Sequence, residues 1–148
     1  MGLSMQYDDD YPTCVKTHSA LRIFASEVTP EYVSKLLGMT PSSSFVKGEV
    51  FSTRQLKRKS NGWIYSTESE IASKDSRRHL DLILSHLDSK EHALDELRNK
   101  GAGLDICCFW LSTGQGGPVI SPVQMTRLAK LGLDVWWDVY FDSASSKQ

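Results

Sequence analysis

The clearest pattern of apolar and polar positions lies near the end of the chain, over residues 133–141. Every second residue there is apolar, and the residues between them are acidic or aromatic. Because successive side chains of an extended strand point to opposite faces, this alternation predicts a strand with one buried face. Residues 104–112 are apolar at most positions of both faces, which predicts a central strand covered on both sides. Shorter apolar runs predict three further strands: residues 19–25, 45–51 and 63–67.

Four segments carry apolar residues at the three- and four-residue spacing of a helix. Thr29 and Ser121 each precede a proline, which is typical of a helix start, because the hydroxyl caps the first turn and proline fits its first position. Gly38 and Gly132 follow the two apolar stripes and are typical of a helix end. The chain between these two helices predicts two more: residues 80–87 and 89–97.

The two helices that begin with a hydroxyl residue and proline are each followed by a further strand. This repetition predicts an α+β fold with an antiparallel or mixed sheet, helices packed on one face, and a ferredoxin-like arrangement of two halves. Alternatively, the repetition is a coincidence, because a hydroxyl residue followed by proline and a Leu-Gly pair are common signals for the start and the end of a helix. We expect a single domain over residues 17–142, between a flexible arm, residues 1–16, and a flexible tail, residues 143–148.

Composition narrows the class of protein. The 148 residues are 40% hydrophobic and 24% charged, which is typical of a folded domain and not of a disordered chain. Lys and Arg number 17 against 18 Asp and Glu, and this balance argues against nucleic-acid binding, which depends on excess positive charge. No apolar run approaches the roughly 20 residues of a membrane span. The first residues lack the features of a secretory signal, so we expect a cytoplasmic protein.

The residue types of catalytic and metal sites are present, but not at the required spacing. Neither a Gly-x-Ser-x-Gly nucleophile turn nor a Cys-x-x-Cys pair occurs. Cys107 and Cys108 are neighbours on a predicted strand and point to opposite faces, so we expect free thiols. Three histidines are interpreted as surface residues: His79, His86 and His92. We therefore expect no catalytic residue, no metal and no cofactor, and we lean against an enzyme.

Three groups of residues are candidate binding surfaces. The first is a basic stretch in the loop over residues 52–62, which suits an anion or an acidic partner but is also explained as a solvated loop: Arg54, Lys57, Arg58 and Lys59. The second is an acidic–aromatic patch on the last strand: Asp134, Trp136 and Asp138, with Tyr140 beside them. A half-buried Trp136 is an equal alternative.

The third candidate surface is an aromatic-walled cleft for a small ligand between the sheet and a glycine-rich loop. Its predicted residues are Trp63, Trp110, Gln115, Gly116 and Gly117. A hairpin turn that needs positive φ is the alternative explanation of these glycines.

The lack of a catalytic constellation, together with charged and aromatic surfaces, favours a non-catalytic protein-interaction module. An immunity-like protein that blocks a toxin is one version of it. Its partner is then another protein, and neither nucleic acid nor a membrane. A small-ligand-binding domain is the first alternative and an enzyme of unknown class the second. A homodimer formed through an edge strand also stays open.

Several short motifs occur in an order that resembles a known family. They are Ala20-Leu21-Arg22-Ile23-Phe24, Thr29-Pro30-Glu31, Leu36-Leu37-Gly38-Met39-Thr40-Pro41, Lys47-Gly48-Glu49, Gly62-Trp63, Phe109-Trp110, Gly116-Gly117, Ser121-Pro122 and Leu131-Gly132-Leu133. Over residues 17–141 the chain resembles DUF4279, a bacterial family of small proteins with a domain of unknown function. The resemblance implies a bacterial cytosolic domain and adds no catalytic residue. The basic loop over residues 52–62 is longer than the resemblance leads us to expect.

Overall fold

The computed structural model of the protein describes residues 6–142, so the predicted tail and residues 1–5 lie outside the described residues. Within that range the chain forms five strands and four helices. In chain order they are β1 (Cys14–Ala25), α1 (Pro30–Leu37), β2 (Ser43–Phe45), β3 (Asn61–Ser66), α2 (Ser76–His86), α3 (Glu91–Asn99), β4 (Gly103–Ser112), α4 (Pro122–Leu131) and β5 (Asp134–Phe141). None of these helices has the length and apolar content needed to cross a bilayer.

The strands form one open sheet in the order β2–β3–β1–β4–β5. β1 lies at its centre and pairs antiparallel with β3 and β4, whereas β5 runs parallel to β4 and is reached through α4. The α+β class and the mixed sheet are therefore confirmed. The ferredoxin-like arrangement of two halves is not confirmed, because β4–α4–β5 is a parallel unit while the chain after α1 returns antiparallel to β1.

The helices pack on one face of the sheet. Alternate residues of β1, such as Leu21 and Ile23, are buried beneath them, and β4 contributes Ile106 and Cys108 to the same core. The helices supply most of the remaining core side chains: Val33, Leu37, Leu80, Ile83, Leu84, Leu94, Leu97, Leu128 and Leu131.

The intervening residues of the strands point to the opposite face, which none of the four helices covers and which we call the helix-free face. The apolar residues of β4 on this face, Cys107, Phe109 and Leu111, are only partly buried. The prediction that this strand is covered on both sides is therefore wrong. The reason is that β4 is central within the sheet, between β1 and β5, but not between two layers of helices.

Both helices that begin with a hydroxyl residue and proline are capped as predicted. The Thr29 hydroxyl accepts a backbone N–H of the first turn of α1, and Ser121 and Gln124 form a reciprocal capping box at α4. Gly38 and Gly132 end these helices in the left-handed conformation, with φ of 66° and 68°. The glycine end of α4 turns the chain so that β5 begins two residues later.

The segment before β1 is held against α2. The Tyr7 hydroxyl donates a hydrogen bond to the Asp81 carboxylate, and Arg78 pairs with Asp9 at 2.7 Å. The sheet itself begins at residue 14. Tyr7 and Asp9 therefore have side-chain partners on α2, and the flexible arm expected over residues 1–16 stays a prediction.

β2 is shorter than predicted. The strand expected over residues 45–51 ends at Phe45, because Phe45 already pairs with Gly62 and only Asn61 of β3 lies beyond that pair. Residues 46–60 leave the sheet and fold back on themselves through an isolated bridge between Val50 and Lys57. We call this segment the basic hairpin; it contains most of the loop that was predicted over residues 52–62.

His79 is completely buried, so its interpretation as a surface residue is wrong. It lies on the side of α2 that faces the sheet, where its Nδ1 accepts from the Thr67 hydroxyl at 2.6 Å and its Nε2 donates to the Ser73 carbonyl at 2.7 Å. Burial lowers the pKa of His79. The other two histidines of that prediction, His86 and His92, are exposed.

Candidate functional site

An ion pair occupies the centre of the helix-free face. Arg22 of β1 stands opposite Asp105 of β4, and the guanidinium donates two hydrogen bonds to the carboxylate at 2.8 and 2.7 Å. This pairing raises the pKa of Arg22. The same guanidinium lies 4.9 Å from the ring centre of Trp136 on β5. Two hydrogen bonds and a cation–π contact hold the group in one orientation.

The acidic–aromatic patch predicted on the last strand occupies the β5 side of this face. Trp136 is 41% exposed and Tyr140 is 50% exposed. Between them, Asp138 accepts a hydrogen bond from the Tyr140 hydroxyl at 3.2 Å, and its negative charge raises the pKa of that tyrosine. Asp134, at the start of β5, is exposed. The four predicted side chains therefore share one surface.

An aromatic stack continues the patch across the sheet toward β1. Phe109 of β4 lies between His18 and Tyr140, with ring centres 4.7 and 5.4 Å apart respectively. His18 and Lys16 contact the Glu68 carboxylate at 3.3 and 3.2 Å. Burial lowers the pKa of His18, so at neutral pH the imidazole is an uncharged ring. The helix-free face thus offers a continuous surface of aromatic rings, with the side chains of charged residues held beside them by hydrogen bonds and ion pairs.

β5 is also an edge strand. β4 pairs with one side of it, and no strand within residues 6–142 pairs with the other. Near its end, Val139 and Phe141 on the helix side are 46% and 74% exposed. The last part of β5 therefore presents apolar side chains on both faces beside a free backbone edge, a combination that favours pairing with another chain.

The cysteines are free thiols, as predicted. Cys107 lies on the helix-free face, where burial is the main cause that raises its pKa. Cys108 lies in the core, and burial raises its pKa to about 12. Both thiols are therefore protonated at neutral pH and are weak nucleophiles. Within residues 6–142, His, Cys, Asp and Glu side chains form no group of three that could hold a metal ion.

The basic hairpin lies at the opposite edge of the sheet from β5. Arg54, Lys57 and Lys59 are exposed, but the Arg58 guanidinium lies between two phenylalanine rings, 3.9 Å from the centre of Phe45 and 4.1 Å from that of Phe51. The four predicted basic residues are therefore not equivalent: three are solvated, and one is part of an aromatic cleft.

The predicted cleft walled by two tryptophans does not form. Trp63 pairs with Ile23 and Trp110 pairs with Thr17, which separates them by six residues of β1, or about 20 Å. Both are almost completely buried, because both point to the helix side. Trp110 borders a small cavity of about 130 Å³ near the start of α2, and Trp63 does not line it.

The glycine-rich loop contributes to that small cavity through Gly117. Its neighbour Gly116 has a φ of 112°, and the Tyr11 hydroxyl occupies the space where a side chain would lie. Gln115 is exposed. The conformation of Gly116 agrees with a turn that needs positive φ, and ligand binding by these residues stays a prediction.

Sequence reasoning missed most of the helix-free face. Arg22, Phe24 and His18 lie at alternate positions of β1, between buried residues, and Phe109 lies at the corresponding position of β4. The alternation of Leu21, Arg22 and Ile23 was a usable signal, because a charged residue within an apolar strand marks its exposed face.

Comparison with known proteins gives one match. A family model described as a domain of unknown function, DUF4279, matches residues 15–142. Neither the curated proteins nor the solved structures contain a match.

Proposed function

The chain belongs to the DUF4279 family, and we propose that it is a non-catalytic module that binds another protein in the bacterial cytosol. The docking surface is β5, through its free outer edge and its acidic–aromatic patch. The partner contributes a basic strand that pairs with this edge. One observation carries the proposal: β5 is an eight-residue edge strand that exposes large apolar side chains on both faces.

The lack of protection at the edge of β5 supports strand pairing. A free edge presents unpaired backbone N–H and C=O groups, and an added strand forms hydrogen bonds with them. Edges that must stay unpaired are usually very short or carry Lys or Pro. β2, at the other edge, is only three residues long. β5 is longer and contains neither Lys nor Pro.

The charges of β5 favour a basic partner over a second copy of the chain. Asp134 and Asp138 lie on the same face of the strand, and neither takes part in an ion pair within residues 6–142. Pairing with a second copy would bring four carboxylates into one two-stranded ribbon, where like charges destabilise the pairing. A strand with Lys or Arg at alternate positions places opposite charges there instead.

The aromatic residues supply the apolar contacts of this interface. Trp136 and Tyr140 are partly exposed and are held in place by Arg22 and Asp138. Side chains of this type lose little conformational freedom on binding and dominate the energetics of many interfaces. We therefore expect the basic strand to lie along β5 with an apolar residue against each ring.

To test the proposal, the full chain is used to capture partners from the source cell, and each partner is identified by mass spectrometry. Calorimetry then measures the binding of each purified partner to the chain. Asp134→Lys reverses a charge on β5 and is expected to weaken binding about tenfold or more, since close charge pairs at interfaces contribute energies of this size. Glu27→Lys, the same kind of charge reversal at an exposed position in the loop before α1, is the matched control. Tyr140→Ala is expected to weaken binding similarly, with Tyr32→Ala on α1 as its control.

Hydrogen exchange locates the interface on the complex. Backbone amides of β5 are expected to gain protection when the partner binds, because the added strand accepts their hydrogen bonds. Equal affinity of Asp134→Lys and Glu27→Lys, or protection confined to the helices, contradicts the proposal. So does a dimer of the chain alone with β5 protected, because the occupant is then a second copy.

An immunity-like role is the more specific version of this proposal. In that version the partner is a toxin, and the docked module blocks its active surface. Co-expression with the identified partner then restores growth, and Asp134→Lys reduces that rescue while Glu27→Lys retains it.

A further inference from the structure

A cleft of about 380 Å³ lies between the basic hairpin and the helix-free face, at the edge of the sheet away from β5. Its apolar walls are formed by four residues: Phe24, Phe45, Phe51 and Leu56. The remaining lining comes from residues 57–60 of the hairpin. We call it the Arg58 cleft. A space of this volume matches small-molecule sites, which are mostly apolar with a few polar groups that fix the ligand.

The sequence builds this cleft from a glycine and a folded-back loop. Gly62 of β3 has no side chain, and a Cβ there would lie 2.1 Å from the ring of Phe45, so the glycine lets this ring cross β3 toward Phe24. The hairpin is closed by backbone hydrogen bonds, of which one joins the Phe51 N–H to the Leu56 carbonyl at 3.0 Å. These contacts hold both walls without any ligand.

Arg58 stands inside the cleft with an unusual set of neighbours. Phe45 and Phe51 lie over its guanidinium at 3.9 and 4.1 Å, so both flat faces of the group are occupied. Only its in-plane N–H groups remain for hydrogen bonding, and they form a fork that matches a carboxylate. The Nε atom is buried and has no hydrogen-bond partner among the described residues, 6–142.

No carboxylate within residues 6–142 forms an ion pair with Arg58. Glu49 is its neighbour across the hairpin, but the Glu49 carboxylate accepts the Val46 N–H at 3.0 Å. Lys57 and Lys59 add positive charge to the lining. A half-buried cation without a counter-charge is costly, and an incoming anion removes that cost.

We propose that the Arg58 cleft binds a small carboxylic acid with an apolar body. The carboxylate accepts in-plane hydrogen bonds from Arg58, and the apolar part packs against Phe24, Phe45 and Leu56. The apolar walls favour a singly charged acid over inorganic phosphate, because most of the ligand surface is then desolvated against carbon. This site is separate from the β5 edge, so it does not depend on the proposed protein partner.

The test is a titration of the full chain, labelled with ¹⁵N, with four probes followed by NMR. Phenylacetate carries both the carboxylate and a ring; phenylacetamide has the same shape without charge; acetate has the charge without the ring; inorganic phosphate is the competing anion. Phenylacetate is expected to shift the Arg58 Nε–H resonance and the amides of residues 45–62, with saturation. The other three probes are expected to bind at least about tenfold more weakly, as loss of a charge-assisted hydrogen bond or of a buried ring predicts.

Two variants separate recognition by Arg58 from general attraction to the basic hairpin. Arg58→Gln is expected to lower the affinity for phenylacetate at least about tenfold. Arg54→Gln removes the same charge from an exposed position of the hairpin outside the cleft lining and is expected to change binding less than about twofold, as a screened surface charge does. The NMR spectrum of each variant checks that the hairpin stays folded.

Several results overturn the proposal. They are absence of saturable binding of phenylacetate at millimolar concentration, equal affinity for phenylacetamide, or equal loss in the two variants. The comparison of the four probes uses the unaltered chain, so it decides the question even if Arg58→Gln rearranges the hairpin. A peptide with a C-terminal phenylalanine is added with a free and with an amidated terminus. Tighter binding of the free-terminus peptide than of phenylacetate assigns the cleft to a protein terminus and contradicts a free small acid as ligand.

Discussion

The buried imidazole of His79 makes the stability of the fold depend on pH in a way that can be calculated. Burial lowers the pKa of His79, and Arg78 and the protonated form of His18 act in the same direction, while the hydrogen bond to Ser73 and the charge of Asp75 oppose them. The folded chain therefore holds this imidazole neutral at a pH where the unfolded chain protonates it. Protons bind preferentially to the unfolded state, so acidification favours unfolding.

The pKa of histidine in the unfolded chain sets how large this change in the free energy of unfolding can become. A histidine in the unfolded chain has a pKa of about 6.5. Its protonation stabilises the unfolded state by about 1.4 kcal/mol at pH 5.5 and by less than about 0.1 kcal/mol at pH 7.5. The lowered pKa of His79 therefore reduces the free energy of unfolding between pH 7.5 and pH 5.5 by at most about 1.3 kcal/mol, the limit in which the folded imidazole stays neutral throughout. The stabilising effect is complete above the unfolded pKa and decreases as the pH falls below it.

Urea unfolding at pH 7.5 and pH 5.5 measures this effect. His79→Gln removes the titrating group while its amide can still donate to the Ser73 carbonyl, so its free energy of unfolding is expected to fall less than that of the unaltered chain over this range, by up to about 1.3 kcal/mol. His92→Gln, the same substitution at an exposed position of α3, is the control. An identical pH dependence in His79→Gln and in the unaltered chain refutes the reasoning.

Three further predictions concern side chains that differ in their partners. Trp63 donates its Nε1–H to Ser34 at 2.9 Å, whereas the Nε1 of Trp110 has no hydrogen-bond partner within residues 6–142. In urea unfolding, Trp63→Phe should therefore destabilise the fold by about 1 kcal/mol more than Trp110→Phe. A larger loss of stability in Trp110→Phe contradicts this. Iodoacetamide at pH 8 should label Cys107 in the native protein and Cys108 only after unfolding. Peptide mass spectrometry measures the labelling, and equal labelling of Cys107 and Cys108 in the native protein contradicts the burial of Cys108. Asp105→Asn should cost about 1–3 kcal/mol of stability because it leaves Arg22 without its counter-charge, and combining it with Arg22→Leu should recover part of this loss. A double variant no more stable than Asp105→Asn alone refutes this.

Local signals in the sequence were sufficient for the helices and for the class of fold. Thr29-Pro30 and Ser121-Pro122 encode helix starts through their own side chains and backbone restrictions, so no distant contact was needed to locate them. The alternation over residues 133–141 predicted β5 and the residues that share its acidic–aromatic face for the same reason.

Sheet order and the partners of polar groups depend on distant contacts and were not predicted. The pairing of β1 with both β3 and β4 left Trp63 and Trp110 at opposite ends of the sheet. His79 was misplaced because its burial depends on Thr67 and Ser73, which no helical spacing indicates. In the sequence Arg58 was one of four similar basic residues within the same loop, and only the contacts of the folded hairpin distinguish it from the other three.

The order of strands in space has a consequence for synthesis on the ribosome. β4 is the most apolar strand, and it is completed before α4 and β5 have been translated. During that interval β4 is the outer strand of the nascent sheet, and the side chains that later lie beneath α4 face water. A pause in translation after β4 has left the ribosome and before β5 has left it would prolong this exposure, so nascent chains arrested in that interval should recruit more ribosome-associated chaperone than chains arrested after β5 has left.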